Sequence, residues 1–440
     1  MSRYKSYPEY KDSGTEWVGQ IPAQWKMLKH KYVATFTKGR NPSSLENELV
    51  EGMYPYLSMD SLREKVFGKY ATLSKGMYLA TEGQPLIIWD GSNAGEFVKG
   101  KDGILSSTMA AASLIQPLNT QFYWYLCVCI EPEMRKHANG MGIPHVNGDE
   151  LKKIQLVIPS LVEQTQIADF LDYETAKIDT LIDKQQQLIK LLKEKHQAVI
   201  SHAVTKGLNP SVPMKDSGVE WLGEVPEHWD VSKIKHYAKI ESGHTPSKTK
   251  EEYWINCNIP WVSLNDSKQL KVVDYIDDTE YKISELGMAN SSAHLLPEKA
   301  VVFTRDASIG LSAITTRPMA VSQHLIAWIC DEEYLIPEFL LLVFYAMESE
   351  FDRYTFGATL KTIGMDNVRS LTAAIPPIQE QSKIIHWAFS NVGKIKASLE
   401  KAENVISLLQ ERRSALISAA VTGKIDVRNW VKPAEPNKEN

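Results

Sequence analysis

The sequence predicts a mixed α/β (α+β) fold made of two similar domains and two long helices. Three observations lead to this class. The chain has 440 residues, more than one ordinary core holds. A segment near the start returns in the second half, and each half ends in a helical pattern of about forty residues. The internal repeat determines the architecture, because each copy is expected to fold as the same unit.

The repeat is clearest near the start of each half. KDSGTEWVGQIPAQW at 11–25 returns 204 positions later as KDSGVEWLGEVPEHW at 215–229. Weaker echoes pair GRNPS at 39–43 with GHTPS at 243–247, and PYLS at 55–58 with PWVS at 260–263. IIWDGSNAG at 87–95 matches VFTRDASIG at 302–310, an apolar strand that enters a polar loop closed by glycine. This alignment pairs Asp90 with Arg305, and the two halves are diverged duplicates.

A long helical pattern follows a strand and a proline in each half, with Glu-Gln at 163–164 and at 380–381. Apolar residues seven positions apart share one register in both patterns, which is typical of paired coiled-coil helices. The predicted interface residues are Ile178, Ile182, Leu192, Val199, Ile395, Leu399, Leu409 and Leu416. Helices of this length measure about 60 Å and could hold two domains apart. Unrelated core helices are the alternative, but they would not predict matched register.

Composition excludes several classes of protein. No apolar run is long enough for a membrane span, and the first residues lack the apolar core of a signal peptide, so we expect a cytoplasmic protein. The cysteines at 127, 129, 257 and 330 lack the spacing of a zinc site or a disulfide framework, which favours buried thiols and no bound metal. With a net charge of −5, contacts to nucleic acid would have to come from local basic patches.

The order of these features resembles the specificity subunit of type I restriction-modification systems over essentially the whole chain. The resemblance rests on residues 217–229 and 243–247, on the proline and Glu-Gln of both helices, and on Ala-Val-Thr at 203–205 and 420–422. It implies two duplicated target recognition domains, separated by two long antiparallel coiled-coil helices with pseudo-twofold symmetry. It also implies double-stranded DNA as a partner, two modification subunits that methylate adenine, and up to two restriction subunits.

The domain boundaries predicted on this basis cover the whole chain. They are an N-terminal repeat segment packing near the helix pair (1–20), target recognition domain 1 (21–158), a central long helix (159–207), a repeat segment and linker (208–225), target recognition domain 2 (226–375), a C-terminal long helix (376–425) and a disordered tail (426–440). Trp17, Trp25, Trp221 and Trp229 repeat in both halves, which favours packing between domain and helices over stacking on bases.

We predict no catalytic site and no cofactor in this chain. The GMG at 140–142 lacks a third glycine because His145 stands in its place, and no phosphate-binding loop is present. Asp90, Glu96 and Lys99 lack the spacing of a nuclease centre. A stand-alone DNA methyltransferase or a nuclease–methyltransferase fusion needs such motifs, whereas a pure scaffold needs no base-reading loops. S-adenosylmethionine, ATP and Mg²⁺ are expected in the partner subunits that the resemblance implies.

DNA contacts are predicted on loops carried by the strands, because base edges are read by side chains on a rigid frame. The predicted residues are Lys38, Arg40, Asn41, Ser92 and Asn93 in the first domain, and His244, Thr245, Lys248, Arg305, Asp306, Ser308, Gln323, His324, Lys361 and Thr362 in the second. Arg305 is the leading candidate because arginine can donate to both O6 and N7 of guanine. Lys361 and Thr362 are predicted to contact phosphate. A solvated loop without DNA contacts is the alternative at each position.

Overall fold

A computed structural model of the chain describes residues 4–64, 67–136, 144–356 and 361–433, without the side chains of Glu64 and Phe356. The chain divides into two compact units. The first unit holds residues 1–185 and 404–440, and the second unit holds residues 186–403. Each unit therefore combines one mixed domain with part of each long helix. The GMG motif at 140–142 lies outside the described residues.

Two four-stranded sheets form the frame of the first unit, in the orders β6-β5-β10-β7 and β4-β11-β8-β9. Its strands are β1 (Tyr10–Asp12), β2 (Gln20–Pro22), β3 (Lys26–Lys29), β4 (Ala34–Lys38), β5 (Met53–Leu57), β6 (Tyr70–Thr72), β7 (Leu79–Ala80), β8 (Pro85–Ile88), β9 (Phe97–Lys99), β10 (Gly103–Leu105), β11 (Met109–Leu114) and β12 (Gln155–Ile158). Its helices are α1 (Met59–Glu64), α2 (Thr120–Lys136), α3 (Gly148–Lys153) and the first part of α4 (Leu161–Lys206).

The second unit has a five-stranded sheet, β16-β23-β20-β21-β18, and a three-stranded sheet, β19-β17-β22. Its strands are β13 (Met214–Asp216), β14 (Glu224–Pro226), β15 (Asp230–Lys233), β16 (Ala238–Ser242), β17 (Ile259–Val262), β18 (Tyr275–Ile276), β19 (Lys282–Ile283), β20 (Val301–Thr304), β21 (Ser312–Thr315), β22 (Ala320–Val321), β23 (Leu325–Cys330), β24 (Thr355–Phe356), β25 (Thr362–Ile363) and β26 (Thr372–Ile375). Its helices are α5 (Ser267–Leu270), α6 (Glu285–Ala289), α7 (Pro337–Ala346), α8 (Glu348–Phe351), α9 (Met365–Ser370) and the first part of α10 (Ile378–Val421).

The same strand pairing occurs in both units and establishes which residues correspond. β8 pairs with β11 so that Ile88 lies opposite Met109, and β20 pairs with β23 so that Thr304 lies opposite Leu325. All four strands are antiparallel to their partners and largely buried, as the apolar runs predict. The duplication seen in the sequence is therefore a duplication of structure.

One part of the predicted alignment is wrong by one residue. The N–H of Gly95 donates to the carbonyl of Ile88, and the N–H of Gly310 donates to the carbonyl of Thr304, at 2.9 Å in both cases. The loop between these residues is one position shorter in the second unit, which an alignment without gaps cannot show. Asp90 therefore corresponds to Asp306 and not to Arg305.

The two long helices run antiparallel within each unit. In the first unit, Phe170 of α4 shares a core with Ile417 of α10, and further along α4 Asp179 pairs with Arg413, which precedes Ile417 in the chain, at 2.8 Å. In the second unit, Val204 near the end of α4 shares a core with residues near the start of α10. This antiparallel arrangement is the one that the family resemblance implies.

Burial differs among the predicted helix-interface residues. Ile178 and Ile395 are 4% and 6% exposed. The other six are half-buried: Ile182, Leu192, Val199, Leu399, Leu409 and Leu416. The heptad register thus finds the half-buried side of each helix, but several of the most buried positions lie beside it, such as Ile200 and Ile417.

Two repeated tryptophans pack each mixed domain against helix residues of its own unit. Trp25 is fully buried in one core with Ile417 of α10, and Trp229 is 1% exposed in one core with Val204 of α4. The indole Nε1 of Trp25 donates to Glu163 at 3.2 Å. The prediction that these tryptophans serve packing rather than base stacking is confirmed.

The repeated glutamine explains why Glu-Gln follows the proline at the start of each long helix. The side chain of Gln164 accepts from the backbone N–H of Asn119 at 2.9 Å and donates to the carbonyl of Pro159 at 3.0 Å. Gln381 likewise accepts from Ile336 N–H at 2.9 Å and donates to the proline carbonyl five positions before it at 2.8 Å. Both amides are buried, so these bonds satisfy polar groups that water does not reach.

The prediction of a disordered tail from residue 426 is wrong for residues 426–433. Val427 is 2% exposed, the ring of Trp430 contacts Phe170 edge-on, and the N–H of Asp426 donates to the carbonyl of Lys5 at 2.7 Å. Val427 and Trp430 are apolar and join the core at the end of α10. The tail as a whole is mostly polar, so its average composition does not reveal them. Residues 434–440 lie outside the described residues. Among the described helices, none is both long and apolar enough to cross a membrane.

Candidate nucleic-acid interface

Three loops of the second unit meet where β20 ends. The N–H of Arg305 donates to the carbonyl of His324, the N–H of Ala307 donates to that of Lys361, and the N–H of Ile363 donates to that of Arg305, each at 2.9 Å. These loops are far apart in the sequence, and the backbone bonds fix their positions. The structure thus brings together several residues that were predicted separately.

Asp306 is the centre of this group. Its Oδ2 lies 2.7 Å from Nδ1 of His324, its Oδ1 accepts from the hydroxyl of Thr362, and Nε of Arg305 lies 3.8 Å from Oδ1. The Asp306 side chain is 13% exposed. Hydrogen bonds to a carboxylate that is largely shielded from solvent are stronger than those in water. We call these four residues, Arg305, Asp306, His324 and Thr362, the strand-end cluster.

The side chain of Arg305 has donors to spare. It is 25% exposed; its Nε is buried, lies 3.8 Å from Oδ1 of Asp306 and has no hydrogen-bond partner in the described part of the chain. A guanidinium carries five N–H donors and is always charged. The residue is therefore held by its backbone and lies beside Asp306, and the donors that another molecule can reach are those of the terminal guanidinium nitrogens.

The remaining predicted residues of the second unit lie in nearby loops. Thr245, Lys248, Gln323 and His324 line one cavity of about 550 Å³, together with two tryptophans, Trp254 and Trp261. His244 is exposed, and its carbonyl accepts from the indole of Trp261 at 3.2 Å. Ser308 uses its carbonyl to accept from Thr304. The exposed amine of Lys361 pairs with Asp352 at 3.1 Å. Reasoning from sequence missed Trp254 and Trp261 as wall residues, although Trp261 lies in the PWVS echo.

The first unit uses its predicted residues differently. Lys38 pairs with Asp90 at 2.7 Å. The side-chain oxygen of Asn41 accepts from the Tyr56 hydroxyl at 2.8 Å and from the N–H of Ser107 at 2.9 Å. Two further residues, Arg40 and Ser92, are exposed, and Asn93 is half-buried. Asn41 is thus occupied by internal bonds, while Arg40 and Ser92 are accessible.

The contrast between Asp90 and Arg305 expected from the sequence is replaced by a different one. Trp89 corresponds to Arg305, because both precede the isolated bridges that Asp90 makes with His145 and Asp306 makes with Thr362. The carboxylate is present in both units, but it holds a lysine in the first and a histidine in the second. The two strand ends share a frame and differ in the side chains they present.

Metal-binding chemistry has no support in the described part of the chain. No group of three or more His, Cys, Asp or Glu side chains there could hold an ion. The four cysteines are unpaired. Cys127 is buried, and burial raises the pKa of its thiol.

A family model described as the type I restriction modification DNA specificity domain matches residues 22–191 and 226–406. The chain belongs to this family. The two matched segments together cover most of the chain, and each coincides with one mixed domain and part of the helix that follows it. The family expected from the repeat and its motifs is therefore confirmed.

Members of the family resemble the chain over nearly its full length. The type I restriction enzyme MjaVIII specificity subunit of Methanocaldococcus jannaschii is 26% identical over 415 residues, which is 93% of this chain and 95% of that protein. The EcoR124I/EcoR124II specificity subunit of Escherichia coli is 24% identical and covers 72% of this chain and 74% of its own length.

Two solved structures share the fold. A chain from a study of complex assembly and conformational transition of the type I R-M system matches with a TM-score of 0.69 and 14% identity, over 91% of this chain and 98% of its own. The HsdS subunit from Thermoanaerobacter tengcongensis matches with a TM-score of 0.50 and 14% identity, over 92% and 98%. At this identity the likeness concerns the fold, which is two mixed domains with two long helices.

Proposed function

We propose that the chain is the specificity subunit of a type I restriction-modification complex and that each unit reads one half of a split, asymmetric DNA target. The observation that carries this proposal is the pair of equivalent strand ends with different side chains. The second unit presents Arg305 beside Asp306 and His324, where the first presents Trp89 beside Asp90 and Lys38. A shared frame with different loops would recognise different sequences.

The chemistry of the strand-end cluster suits base recognition. Arg305 can donate to O6 and N7 of a guanine, and the exposed amide of Gln323 can pair with adenine. Exposed Lys248 and Lys361 lie on the same group of loops and can neutralise phosphates. Because the net charge of the chain is −5, we expect these local cations to position DNA that partner subunits also hold.

The long helices support docking of two modification subunits. α4 exposes Leu188 and Leu191, which are 42% and 61% exposed. α10 exposes Val405 and Leu408 at the matching positions, 217 residues on, at 39% and 64%. Residues three apart lie on one side of a helix, so each helix offers the same exposed apolar pair. Two equal sites would accept two equal partners, with up to two restriction subunits joining the complex.

We further propose that the chain has no catalytic centre and binds no cofactor. An adenine methyltransferase would need a glycine-rich cofactor loop, and a motor would need a phosphate-binding loop; the sequence contains neither pattern. S-adenosylmethionine, ATP and Mg²⁺ then belong to the modification and restriction subunits. The complex would work in the cytoplasm, where its DNA lies.

The test is binding of the full chain, assembled with its modification subunits, to duplexes that differ from the target by single base pairs. If Arg305 reads guanine, Arg305→Ala loses about 1–3 kcal/mol at that base pair and relaxes specificity in one half-site only. If Arg305 contacts only phosphate, binding weakens evenly over the panel and the salt dependence falls by about one ion.

The matched control is Arg40→Ala, an exposed arginine of the first unit that follows Gly39 as His244 follows Gly243. Any effect of Arg40→Ala should fall on the other half-site. An equal loss over the whole panel for Arg305→Ala contradicts base reading by Arg305, and absence of sequence-specific binding by the assembled complex contradicts the proposed function.

A further inference from the structure

The cavity beside the strand-end cluster has a buried, unpaired hydroxyl among its lining residues. Ser322 lines this cavity and is 1% exposed. In the part of the chain that the structure describes, its Oγ has no hydrogen-bond partner. Buried hydroxyls are nearly always satisfied, so this one leaves a hydrogen bond that a molecule bound in the cavity can supply.

The corresponding serine of the first unit has a hydrogen-bond partner in its own chain. Ser106 corresponds to Ser322, since each lies next to the glycine at the end of β4 or β16: a Cβ on Gly39 would meet the Ser106 carbonyl at 2.2 Å, and one on Gly243 would meet the Ser322 carbonyl at 2.1 Å. The Ser106 hydroxyl bonds to Thr108 at 2.8 Å.

Three replacements open this place in the second unit. His324 stands in place of Thr108, and its Nδ1 lies 2.7 Å from Oδ2 of Asp306. Tyr56 and Asn41, which bond to each other at 2.8 Å in the first unit, are replaced by Trp261 and Thr245. Trp261 instead donates to the backbone carbonyl of the residue before Thr245. The same frame thus carries hydrogen-bonded side chains in one unit, and in the other unit these positions are occupied by residues of the cavity wall.

The walls of this cavity suit a flat, polar ring. Trp254 and Trp261 meet edge to face with centroids 5.9 Å apart, and both indole N–H groups are already bonded to backbone carbonyls. Tyr281, which is 50% exposed, also lines the cavity. The volume of about 550 Å³ lies within the range of small-molecule sites, about 300–1,000 Å³.

Polar groups complete the match to a nucleobase. Ser322, Asn265 and Gln323 offer a hydroxyl and two amides, which can donate and accept as the edge of a base requires. The exposed amine of Lys248 lies among the same lining residues and can neutralise the phosphate that accompanies the base. Aromatic walls with a few hydrogen-bonding groups are how proteins hold a base that has left the duplex.

We propose that this cavity of the second unit receives one unstacked base of the half-site that the unit reads. The proposal rests on the proposed DNA-reading function and adds a recognition mode to it. The base stacks against the aromatic wall, and its edge bonds to the Ser322 hydroxyl. A mispaired or weakly stacked base enters at a lower cost than a well-paired one, so the cavity contributes to specificity at one position.

The experiment uses duplexes that carry the target, with 2-aminopurine placed in turn at each position of both half-sites, and the full chain assembled with its modification subunits. A base that leaves the stack gives a rise in 2-aminopurine fluorescence. We expect the fluorescence to rise at one position of the half-site that the second unit reads. Tyr281→Ala should reduce this rise. Tyr281→Ala should also weaken binding by about fivefold to a hundredfold, since it removes a stacking partner.

Ser322→Ala separates ligand contact from folding. Because the Ser322 hydroxyl has no partner among the residues that the structure describes, its loss should leave thermal stability unchanged while target affinity falls by about three- to tenfold. The matched variant Ser106→Ala breaks an internal bond of the first unit, so it should lower stability and leave the 2-aminopurine signal in place.

Three results would overturn the inference, and they can be told apart. The first is sequence-specific binding that Tyr281→Ala and Ser322→Ala leave unchanged, with no fluorescence rise in the half-site of the second unit. This result excludes the base-binding cavity but leaves the proposed function intact. Absence of sequence-specific binding excludes both. A rise that Tyr281→Ala and Ser322→Ala leave unchanged places the unstacked base in a partner subunit and also excludes the cavity.

Discussion

Removal of the Asp306 carboxylate should loosen the loops of the second unit without unfolding it. Asp306 accepts from His324 at 2.7 Å and from the Thr362 hydroxyl, and it is 13% exposed. Each hydrogen bond to a charged group contributes about 1.5–3 kcal/mol. Allowing for solvent that can replace part of the lost bonding, Asp306→Ala should cost about 2–4 kcal/mol of local stability.

The equivalent change in the first unit is the control. Asp90 pairs only with Lys38 among the described side chains, and the two side chains are 35% and 48% exposed. Exposed ion pairs contribute about 0–1 kcal/mol, so Asp90→Ala should cost little. Asp306→Asn should fall between the two, because its carbonyl can still accept one of the two hydrogen bonds.

Hydrogen exchange measured on peptides is the suitable assay. The N–H groups of Arg305, Ala307 and Ile363 donate across the three loops that Asp306 joins. A local loss of about 2 kcal/mol makes these amides exchange about thirtyfold faster, if exchange follows local opening. Amides of the first unit should not change. Unaltered protection of the three amides in Asp306→Ala would refute the claim that the strand-end cluster holds these loops together.

Two further predictions concern stability and assembly. Burial raises the pKa of Glu131 in the first unit to about 7 from its ordinary 4.5. The folded state therefore binds more protons than the unfolded state between about pH 4.5 and 7, and stability falls as pH rises through that window. Glu131→Gln should remove this fall and add about 1–3 kcal/mol to the free energy of unfolding at pH 8. Urea unfolding at several pH values measures both effects. Replacing half-buried Leu192 and Leu409 with Asp should lower stability by about 1–2 kcal/mol each and weaken binding of the modification subunits. The exposed neighbours Leu191 and Leu408, changed in the same way, should weaken binding of those subunits while leaving thermal unfolding unchanged; intact assembly in both double variants would contradict docking on the helices.

The architecture could be predicted because the duplication repeats local signals. The tryptophans at 25 and 229, the glutamines at 164 and 381, and the heptad pattern each appear twice, and each has the same structural role in both units. When the same residue recurs at the same place in two diverged copies, a structural requirement explains it better than chance does. The half-buried side of the helices followed from periodicity for the same reason.

The details of the site could not be predicted, since they depend on contacts between distant segments. Nothing in the sequence joins Asp306 to Thr362, 56 positions away. The one-residue difference in loop length is invisible without the hydrogen bonds that close each loop. The open cavity depends on three replacements, at Thr245, Trp261 and His324, which are scattered over the second unit. Their joint effect becomes visible only when the strands place them together.

Two equivalent units with different loops should read two different half-sites. Sequencing of the methylated adenines in cells that contain this chain and its modification subunits tests it most directly. We expect one motif with two unlike specified halves, separated by an unspecified gap, with half-site centres about one helical turn apart. A single continuous motif, or two identical inverted halves, would contradict it.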